Sequence, residues 1–227
     1  KKKKMWWTLS FFRTTADMLH LLSILILLSS IHRNKSVGGI SLVTQELYCL
    51  VFITRYLNLF TYFVSLYNTF MKIFFIVSSI AIVYMIRVTY LRTYSKSIDT
   101  WRRAFLIVPC VLLALIFPYE RSIIEYLWTF SLYLEAVAIL PQISLLTKMG
   151  SVKVFNSHYL AALGGYRLFY LIHWMVRYMA ISRLEPRGFI AGVVQTLCYA
   201  DVLYVYIKHH VLKSTVQLPG GYAAENL

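Results

Sequence analysis

Three arginines within or beside long apolar runs are the residues whose chemistry stands out: Arg13, Arg55 and Arg177. An ionised side chain near the centre of a bilayer costs about 2.5–3.5 kcal/mol on insertion scales, so such residues normally face a polar cavity or an opposite charge. A guanidinium binds a carboxylate through parallel, charge-assisted hydrogen bonds. The orientation inferred below brings the three arginines to one depth, which predicts a binding site for a ligand with several carboxylates.

A second candidate cluster combines acidic and aromatic side chains. Glu125 and Trp128 are three residues apart, so they share one face of a helix. Together they could hold a cation through the carboxylate and the face of the indole ring; the alternative is a glutamate and a tryptophan at the lipid interface. Glu135 follows on a similar face, and the Tyr166–Arg167 pair is a candidate to satisfy it.

A candidate proton switch lies in the first apolar run. His20 follows Asp17 by three residues, and histidine ordinarily changes its charge between about pH 5 and pH 8. The alternative is a hydrogen-bonded histidine inside the helix packing, and both interpretations apply to His173 as well. Ion pairs between helices are the alternative for every other charge in the apolar runs, including Glu46 and Lys72.

The elements that position these residues are membrane-spanning helices. Hydrophobic residues make up 59% of the 227 residues, charged residues make up 14%, and the mean hydropathy is +0.63. Soluble domains carry about a quarter charged residues. The basic residues behind the net charge of +14 cluster in short links between apolar runs, as membrane orientation requires. The pattern indicates a polytopic protein of the lipid bilayer and argues against a nucleic-acid partner.

Motifs of enzymes and of metal sites are missing from the sequence. Cys49, Cys110 and Cys198 are far apart within apolar stretches, which is neither a disulfide framework nor a metal-ligand pattern. No Ser/His/Asp set and no phosphate-binding loop is found. We therefore predict that the protein is not an enzyme and needs no cofactor.

The hydropathy pattern predicts an all-α membrane protein. The predicted protein is a single membrane domain over 1–227, with no separate soluble domain. About seven runs approach the roughly 20 apolar residues that a span needs. We interpret the first run as a retained span and not as a signal peptide. The predicted spans lie near 15–32, 40–58, 63–86, 102–118, 123–146, 157–180 and 187–207, and a cytosolic tail covers 208–227.

Basic residues predict the orientation of these spans. Most lysines and arginines outside the spans lie in the links after the first, third and fifth spans and in the tail. The positive-inside rule therefore places the C-terminus in the cytosol and the N-terminus in a lumen. The stretch "KKKK" (1–4) argues for the opposite orientation, and we give it no weight because Met5 could be the start of the chain.

Six long and specific stretches follow one another over about residues 13–213: "RTTADMLHLL", "ISLVTQELYCLVFITRYLNLF", "SLYNTFMK", "LWTFSLYLEAVAILPQ", "HYLAALGGYRLFYLIHW" and "AGVVQTLCYADVLYVYI". Together, and in collinear order, they resemble the KDEL receptor family. The resemblance implies seven transmembrane helices in two three-helix bundles, similar to SWEET and PQ-loop sugar transporters. Pro141-Gln142 is the matching dipeptide, and such repeats place a ligand site at their interface.

The resemblance also implies a function. Members of this family capture escaped endoplasmic-reticulum proteins in the Golgi through a C-terminal Lys/His-Asp-Glu-Leu signal at acidic pH, and return them in retrograde vesicles. The implied locations are the Golgi membrane, the endoplasmic-reticulum membrane and transport vesicles. The implied partners are this C-terminal tetrapeptide, the COPI coat on the cytosolic tail and the lipid bilayer, with protons as the regulatory ligand.

The family's signal-binding positions are matched residue by residue. Arg55 and Tyr56 are implied to hold the terminal carboxylate of the signal, and Glu125 and Trp128 its basic first residue. The other arginines are implied to engage its acidic side chains, and further aromatic residues line the pocket. The matching residues outside these two pairs are Arg13, Tyr170, Trp174 and Arg177.

Further family positions are implied to control the receptor. His20 matches a proton sensor, while Glu135, Tyr166 and Arg167 match a polar lock that tightens in the loaded state. Asp201 matches an acid that is linked to transport.

The sequence departs from the family pattern at three places. Asn58 replaces an aspartate of the pocket, and His173 replaces an asparagine, which leaves the preferred first residue of the signal and the pH midpoint open. The tail keeps Lys208 and Lys213, but "STVQ" (214–217) stands where family members often carry further lysines. The basic patch implied to bind the coat is therefore thinner.

A transporter of small solutes on the same helical scaffold is the alternative function, because a fold alone does not decide a function. The three arginines favour the receptor, since a neutral sugar would not need them.

Asn34 provides a test of the orientation. The stretch "NKS" (34–36) is a glycosylation sequon that the predicted topology places in the cytosol. We expect no glycan on Asn34, measured as an unchanged gel mobility after endoglycosidase treatment of endomembranes. A sequon in an N-terminal extension should be glycosylated, and a glycan on Asn34 would reverse the orientation.

Overall fold

The computed structural model describes residues 2–59, 63–118, 120–149, 154–181 and 186–206. All regular secondary structure in these ranges is helical. A 3₁₀ turn follows α2 at Leu57–Leu59, and a π-helical turn extends α3 at Met85–Thr89. The α-helices are α1 (Lys2–Asn34), α2 (Leu42–Arg55), α3 (Leu66–Tyr84), α4 (Ala104–Ile116), α5 (Ile123–Val137), α6 (Leu140–Met149), α7 (Val154–Ile181) and α8 (Pro186–Tyr206).

In the part of the chain that the structure describes, three helical stretches are long and apolar enough to cross a membrane: Phe11–Asn34, Leu66–Thr89 and Ile123–Met149. Shorter apolar helices cover Ala104–Ile116 and Gly188–Ala200. Many large apolar side chains on these helices are exposed, as expected of a surface that faces lipid. The described residues therefore form an all-helical protein with the features of a membrane protein, as the composition predicts.

The predicted span 123–146 consists of two helices. A turn at Ala138 and Ile139 separates α5 from α6, and Pro141 is the second residue of α6. Proline has no backbone N–H to donate to the preceding turn, and it is tolerated in the first turn of a helix. The proline thus explains why one apolar run forms two helices.

The described residues divide into two compact units. Unit 1 contains the described part of Lys1–Ser30 and of Val152–Leu218, that is, most of α1 with α7 and α8. In this unit α7 packs against α8. Gly192 on α8 allows the close approach, because a Cβ at this position would lie 2.3 Å from a ring carbon of Trp174 on α7.

Unit 2 contains the described part of Ile31–Ser151, with α2 at its centre. The helix α2 packs against α3, α5 and α6, and α4 packs against α5. Val51 and Phe52 of α2 are buried in this core, as is Leu134 of α5.

Local signals at the start of α2 explain its boundary. Gly39, at φ 80°, takes a left-handed conformation that favours glycine. Ser41 then caps the helix, since its side chain accepts a hydrogen bond from the Thr44 N–H at 3.2 Å.

The cap of α2 is held by a buried carboxylate from the link between α3 and α4. The hydroxyl of Ser41 donates to both oxygens of Asp99, at 3.0 Å each, and the Val43 N–H donates to one of them at 3.3 Å. The Tyr94 hydroxyl donates to the same carboxylate at 2.7 Å. Burial of the phenol, followed by this hydrogen bond, raises the pKa of Tyr94, so the phenol remains a donor.

Gln142, the second residue of the Pro-Gln dipeptide, joins the same region to α6. Its Oε1 accepts from the Ser41 N–H at 2.8 Å, and its Nε2 donates to the Gly39 carbonyl at 2.8 Å. Its backbone N–H donates to the Thr44 hydroxyl at 3.0 Å. The amide oxygen and one amide N–H are both bonded, so this side chain connects the turn before α2 to α6.

Removal of the Asp99 carboxylate should destabilise the protein. We expect Asp99→Ala to lower the free energy of unfolding by about 2–3 kcal/mol, because three donors lose their acceptor in a buried site. Thermal unfolding of the purified protein measures the effect. The exposed Lys96 in the same link provides the control variant Lys96→Ala, and equal melting temperatures for both variants would contradict the expectation.

Candidate functional site

The sequence-predicted site residues occur in both units. Unit 2 holds Arg55, Tyr56, Asn58, Glu125, Trp128 and Glu135. Unit 1 holds Arg13, His20, Tyr166, Arg167, Tyr170, His173, Trp174 and Arg177. The backbone of Asp201 belongs to α8, whereas its side chain, Lys208 and Lys213 lie outside what the structure describes.

Arg55, the last residue of α2, binds an acid of its own chain. Its Nη1 donates to Oε2 of Glu135 at 2.5 Å, its Nε donates to the hydroxyl of Ser131 at 3.1 Å, and its Nη2 donates to the Ser131 carbonyl at 3.0 Å. The Glu135 side chain is only 2% exposed, against 18% for Arg55. The structure thus gives Glu135 a partner in Arg55, which the sequence did not predict.

The helix α5 orients the acceptors of Arg55. Glu125, Trp128, Ser131 and Glu135 follow one another at intervals of three and four residues, so they lie on one face of α5. The hydroxyl of Ser131 donates to the Trp128 carbonyl at 2.6 Å, which leaves its lone pairs to accept from Arg55. Glu125 and Trp128 are half-buried on this face.

An aromatic cluster fixes the end of α2 against α3. The ring of Tyr56 stacks on Phe52 at a centroid distance of 6.1 Å and on Phe75 at 6.3 Å, and Phe52 and Phe75 stack on each other at 5.2 Å. Such contacts add about 0.5–1.5 kcal/mol each to the burial of the rings.

Asn58 lies in the 3₁₀ turn after α2 and accepts a hydrogen bond from a lysine. The ammonium of Lys72 on α3 donates to Oδ1 of Asn58 at 3.0 Å. Lys72 is buried, with 7% of its surface exposed.

In unit 1 the predicted proton sensor contacts one residue of the predicted lock, Tyr166. The ring of His20 on α1 stacks on the ring of Tyr166 on α7, with centroids 4.1 Å apart and planes within 4° of parallel. Both residues are buried. The guanidinium of Arg167, also buried, lies 5.2 Å from the centroid of the same tyrosine ring, a cation–π distance. The Gln195 amide of α8 donates to the Tyr166 hydroxyl at 3.3 Å.

A row of aromatic residues continues along α7. Tyr166, Tyr170 and Trp174 are four residues apart, so they lie on one face. Their rings touch in sequence, with centroids 6.2 Å and then 6.0 Å apart. The Tyr170 hydroxyl donates to Asp17 on α1, which makes this in-span acid part of the row. His173 is half-buried beside Trp174.

Two arginines of unit 1, Arg13 and Arg177, differ from Arg55. The side chains of Arg13 on α1 and Arg177 on α7 are exposed. Among the described residues, no carboxylate lies within ion-pair distance of either guanidinium.

Glu46 forms ion pairs between helical elements, which is the alternative that the sequence offered for charges in the apolar runs. Its carboxylate accepts hydrogen bonds from Arg87 in the π-helical turn and from Arg103 at the start of α4. The acid is mostly buried, whereas both arginines are about half exposed. This cluster therefore joins three elements of unit 2 and is structural.

The candidate residues described in each unit include cations and aromatic rings but few acids. Within the described ranges, no group of three histidine, cysteine or acidic residues could hold a metal ion. The chemistry present suits recognition of an anionic ligand at an all-helical membrane protein.

Comparison with known proteins identifies the family. The model of the family "ER lumen protein retaining receptor" matches residues 36–177. The chain is 47% identical over 209 residues to an ER lumen protein-retaining receptor of Caenorhabditis briggsae, covering 92% of this chain and 98% of that protein. It is 46% identical to the receptor of that name from Drosophila melanogaster, covering 93% and 100%, and 48% identical to that from Kluyveromyces lactis, covering 93% and 99%. The chain belongs to the ER lumen protein retaining receptor family, which by its name is a family of receptors.

Sequence reasoning missed two participants in unit 2. Ser131 provides two of the three acceptors of Arg55, and a serine on a helix carries no signal by itself. Lys72 was treated as one charge among several, although a lysine inside the run "MKIFFIV" (71–77) is as unusual as Arg55.

The buried pair of Arg55 and Glu135 should be strongly coupled. We expect Glu135→Leu to lower the free energy of unfolding by about 3 kcal/mol, because the guanidinium loses its carboxylate in a site that is largely shielded from water. The double variant Arg55→Met/Glu135→Leu should regain most of this loss, measured by thermal unfolding. As a control, Glu46→Leu leaves half-exposed arginines and should cost less. Additive effects of the two single substitutions would contradict the coupling.

Proposed function

We propose that this protein is the receptor that binds the C-terminal KDEL- or HDEL-type signal of escaped endoplasmic-reticulum proteins in the Golgi and returns them by retrograde vesicle transport. The observation that carries the proposal is similarity over 92–93% of the chain to proteins named ER lumen protein-retaining receptors. The proposal includes a single membrane domain with seven spans in two three-helix bundles of the SWEET type, a lumenal N-terminus and a cytosolic tail that binds the COPI coat.

The charges of unit 1 support an acidic ligand. A peptide that ends in two acidic residues and a free carboxylate carries three negative charges. Arg13 and Arg177 have no carboxylate within ion-pair distance among the described residues, so they are available to the acidic side chains. A neutral solute would leave both charges without a partner, which favours the receptor over the transporter.

Arg55 can bind the peptide although Glu135 already binds its guanidinium. A guanidinium has five N–H donors, and three of them point to Ser131 and Glu135. The two that remain, one on each terminal nitrogen, can bind a carboxylate in the bidentate manner. In this proposal Glu135 and Ser131 orient the guanidinium, and the terminal carboxylate of the signal takes the free donors, with Tyr56 beside it.

His20 is the proposed proton switch, with protons as the regulatory ligand and no cofactor. A proton on His20 places a positive charge against the ring of Tyr166, which attracts cations through its face. The same ring carries Arg167 and begins the row that ends at Trp174. Protonation in an acidic compartment therefore acts on the aromatic row that is proposed to line the peptide site.

Binding of labelled peptides to the purified protein tests the function. We expect peptides with the free C-terminal signal to bind roughly tenfold or more tightly at about pH 5.5 than at about pH 7.4, on either side of the ordinary histidine pKa. Arg55→Ala should abolish binding, as should amidation of the peptide. The exposed Arg92 gives the control Arg92→Ala, which should bind as the unmodified protein does.

Three results would contradict parts of this proposal. Absence of binding at either pH would remove the receptor function. Equal affinity at both pH values would remove His20 from its role, and binding of the amidated peptide would remove Arg55 from contact with the chain end.

A further inference from the structure

Lys72 is a buried cation whose partner is neutral. It lies in the second turn of α3, within the apolar stretch Leu66–Thr89, and only 7% of its surface is exposed. Its ammonium donates to the amide oxygen of Asn58 at 3.0 Å. No carboxylate among the described residues is within ion-pair distance of it.

Three other cations described in unit 2 differ from Lys72, because each of them has a carboxylate partner. Arg55 is bound to Glu135, and Arg87 and Arg103 share Glu46. A buried charge is expensive unless it is paired. A lysine near a helix end can also extend its amine into water, but Lys72 instead directs its amine to Asn58 and stays buried. Two of its three N–H donors remain for another acceptor.

One polar atom near Lys72 has no hydrogen-bond partner among the described residues. Asn68 precedes Lys72 by four residues, so both lie on one face of α3. The side-chain oxygen of Asn68 is buried and has no hydrogen-bond partner in the described part of the chain. An amide carries donors as well as an acceptor, so Asn68 and Lys72 present a polar surface that the unit's own side chains leave incomplete.

This surface lies at the end of α2 that carries Arg55. Asn58 follows Arg55 by three residues. Phe75, three residues after Lys72 on α3, stacks on Phe52 and on Tyr56 at the same end of α2. Arg55 and the contact between Lys72 and Asn58 are thus both found at this end of α2.

We propose that Lys72, held by Asn58, is a further ligand-binding residue that takes one of the carboxylates of the peptide signal. The inference rests on the proposed function and adds to it a fourth cation, in addition to the three arginines proposed for the signal. The neutral amide at position 58 is what makes it possible, because a carboxylate there would occupy the ammonium from within the chain. The peptide offers three carboxylates of the same chemistry, namely the chain end and the two acidic side chains.

Coupling between the protein and the peptide tests the proposal. Lys72→Met should weaken binding of the free signal peptide by roughly tenfold. Three modified peptides each lack one carboxylate: one has an amidated chain end, one has asparagine in place of the aspartate, and one has glutamine in place of the glutamate. For one of these peptides, Lys72→Met should leave the affinity unchanged. The peptide that loses the effect identifies the carboxylate that Lys72 binds.

Two further variants complete the experiment. Asn58→Asp keeps Lys72 but supplies an internal carboxylate, so it should also weaken binding by roughly tenfold and show the same dependence on the peptide. Lys96→Met removes an exposed lysine of the same unit and should leave every affinity unchanged.

The outcomes separate this inference from the function on which it rests. If no free signal peptide binds the unmodified protein, the proposed function fails and the inference fails with it. If the peptides bind, but Lys72→Met changes all affinities equally or changes none, Lys72 has a structural role and the inference alone is wrong. If Lys72→Met does not fold, the Asn58→Asp variant decides. An unchanged affinity of Asn58→Asp for the free signal peptide overturns the inference.

Discussion

The hydrogen bonds between Arg55 and α5 are the constraint on which the candidate site of unit 2 depends. A guanidinium at the end of an apolar helix must satisfy its donors, and Glu135 and Ser131 accept three of them. These bonds join the end of α2 to the face of α5 that carries Glu125 and Trp128. They also fix the direction in which the two remaining donors of Arg55 point. In the proposed function, Glu135 does not replace the carboxylate of the ligand, because it holds the guanidinium while two donors remain for that carboxylate.

Unit 1 places the imidazole ring of His20 beside aromatic residues. His20 is stacked on Tyr166, and the row from Tyr166 through Tyr170 to Trp174 continues along one face of α7. Gly192 lets α8 approach Trp174 at a distance that a methyl group would prevent. In the proposed function, a charge that forms on the histidine acts on closely packed neighbours, which pass on a change because they have few other arrangements.

The contact between Lys72 and Asn58 shows how one substitution in a family can change the charge of a site. The resemblance implies an aspartate at position 58, and an aspartate beside a buried ammonium would be an ion pair. Asparagine keeps the hydrogen bond and removes the compensating charge. The difference concerns the electrostatics of the pocket and leaves the packing of α2 against α3 to Phe52, Tyr56 and Phe75.

The amino-acid sequence alone determined the all-helical membrane class, the family and the importance of the buried charges, because hydropathy and long collinear motifs are local properties of a chain. It identified Arg55 and Glu135 separately, and it placed His20 and Tyr166 in one functional group through the resemblance. Only the tertiary structure decided which groups touch: that Arg55 binds Glu135 and Ser131, that Glu46 binds two arginines, and that Lys72 has an amide as its partner. The physical reason is that a charge in an apolar segment requires a partner without specifying which one, since the candidates are distant in sequence and helix packing chooses among them.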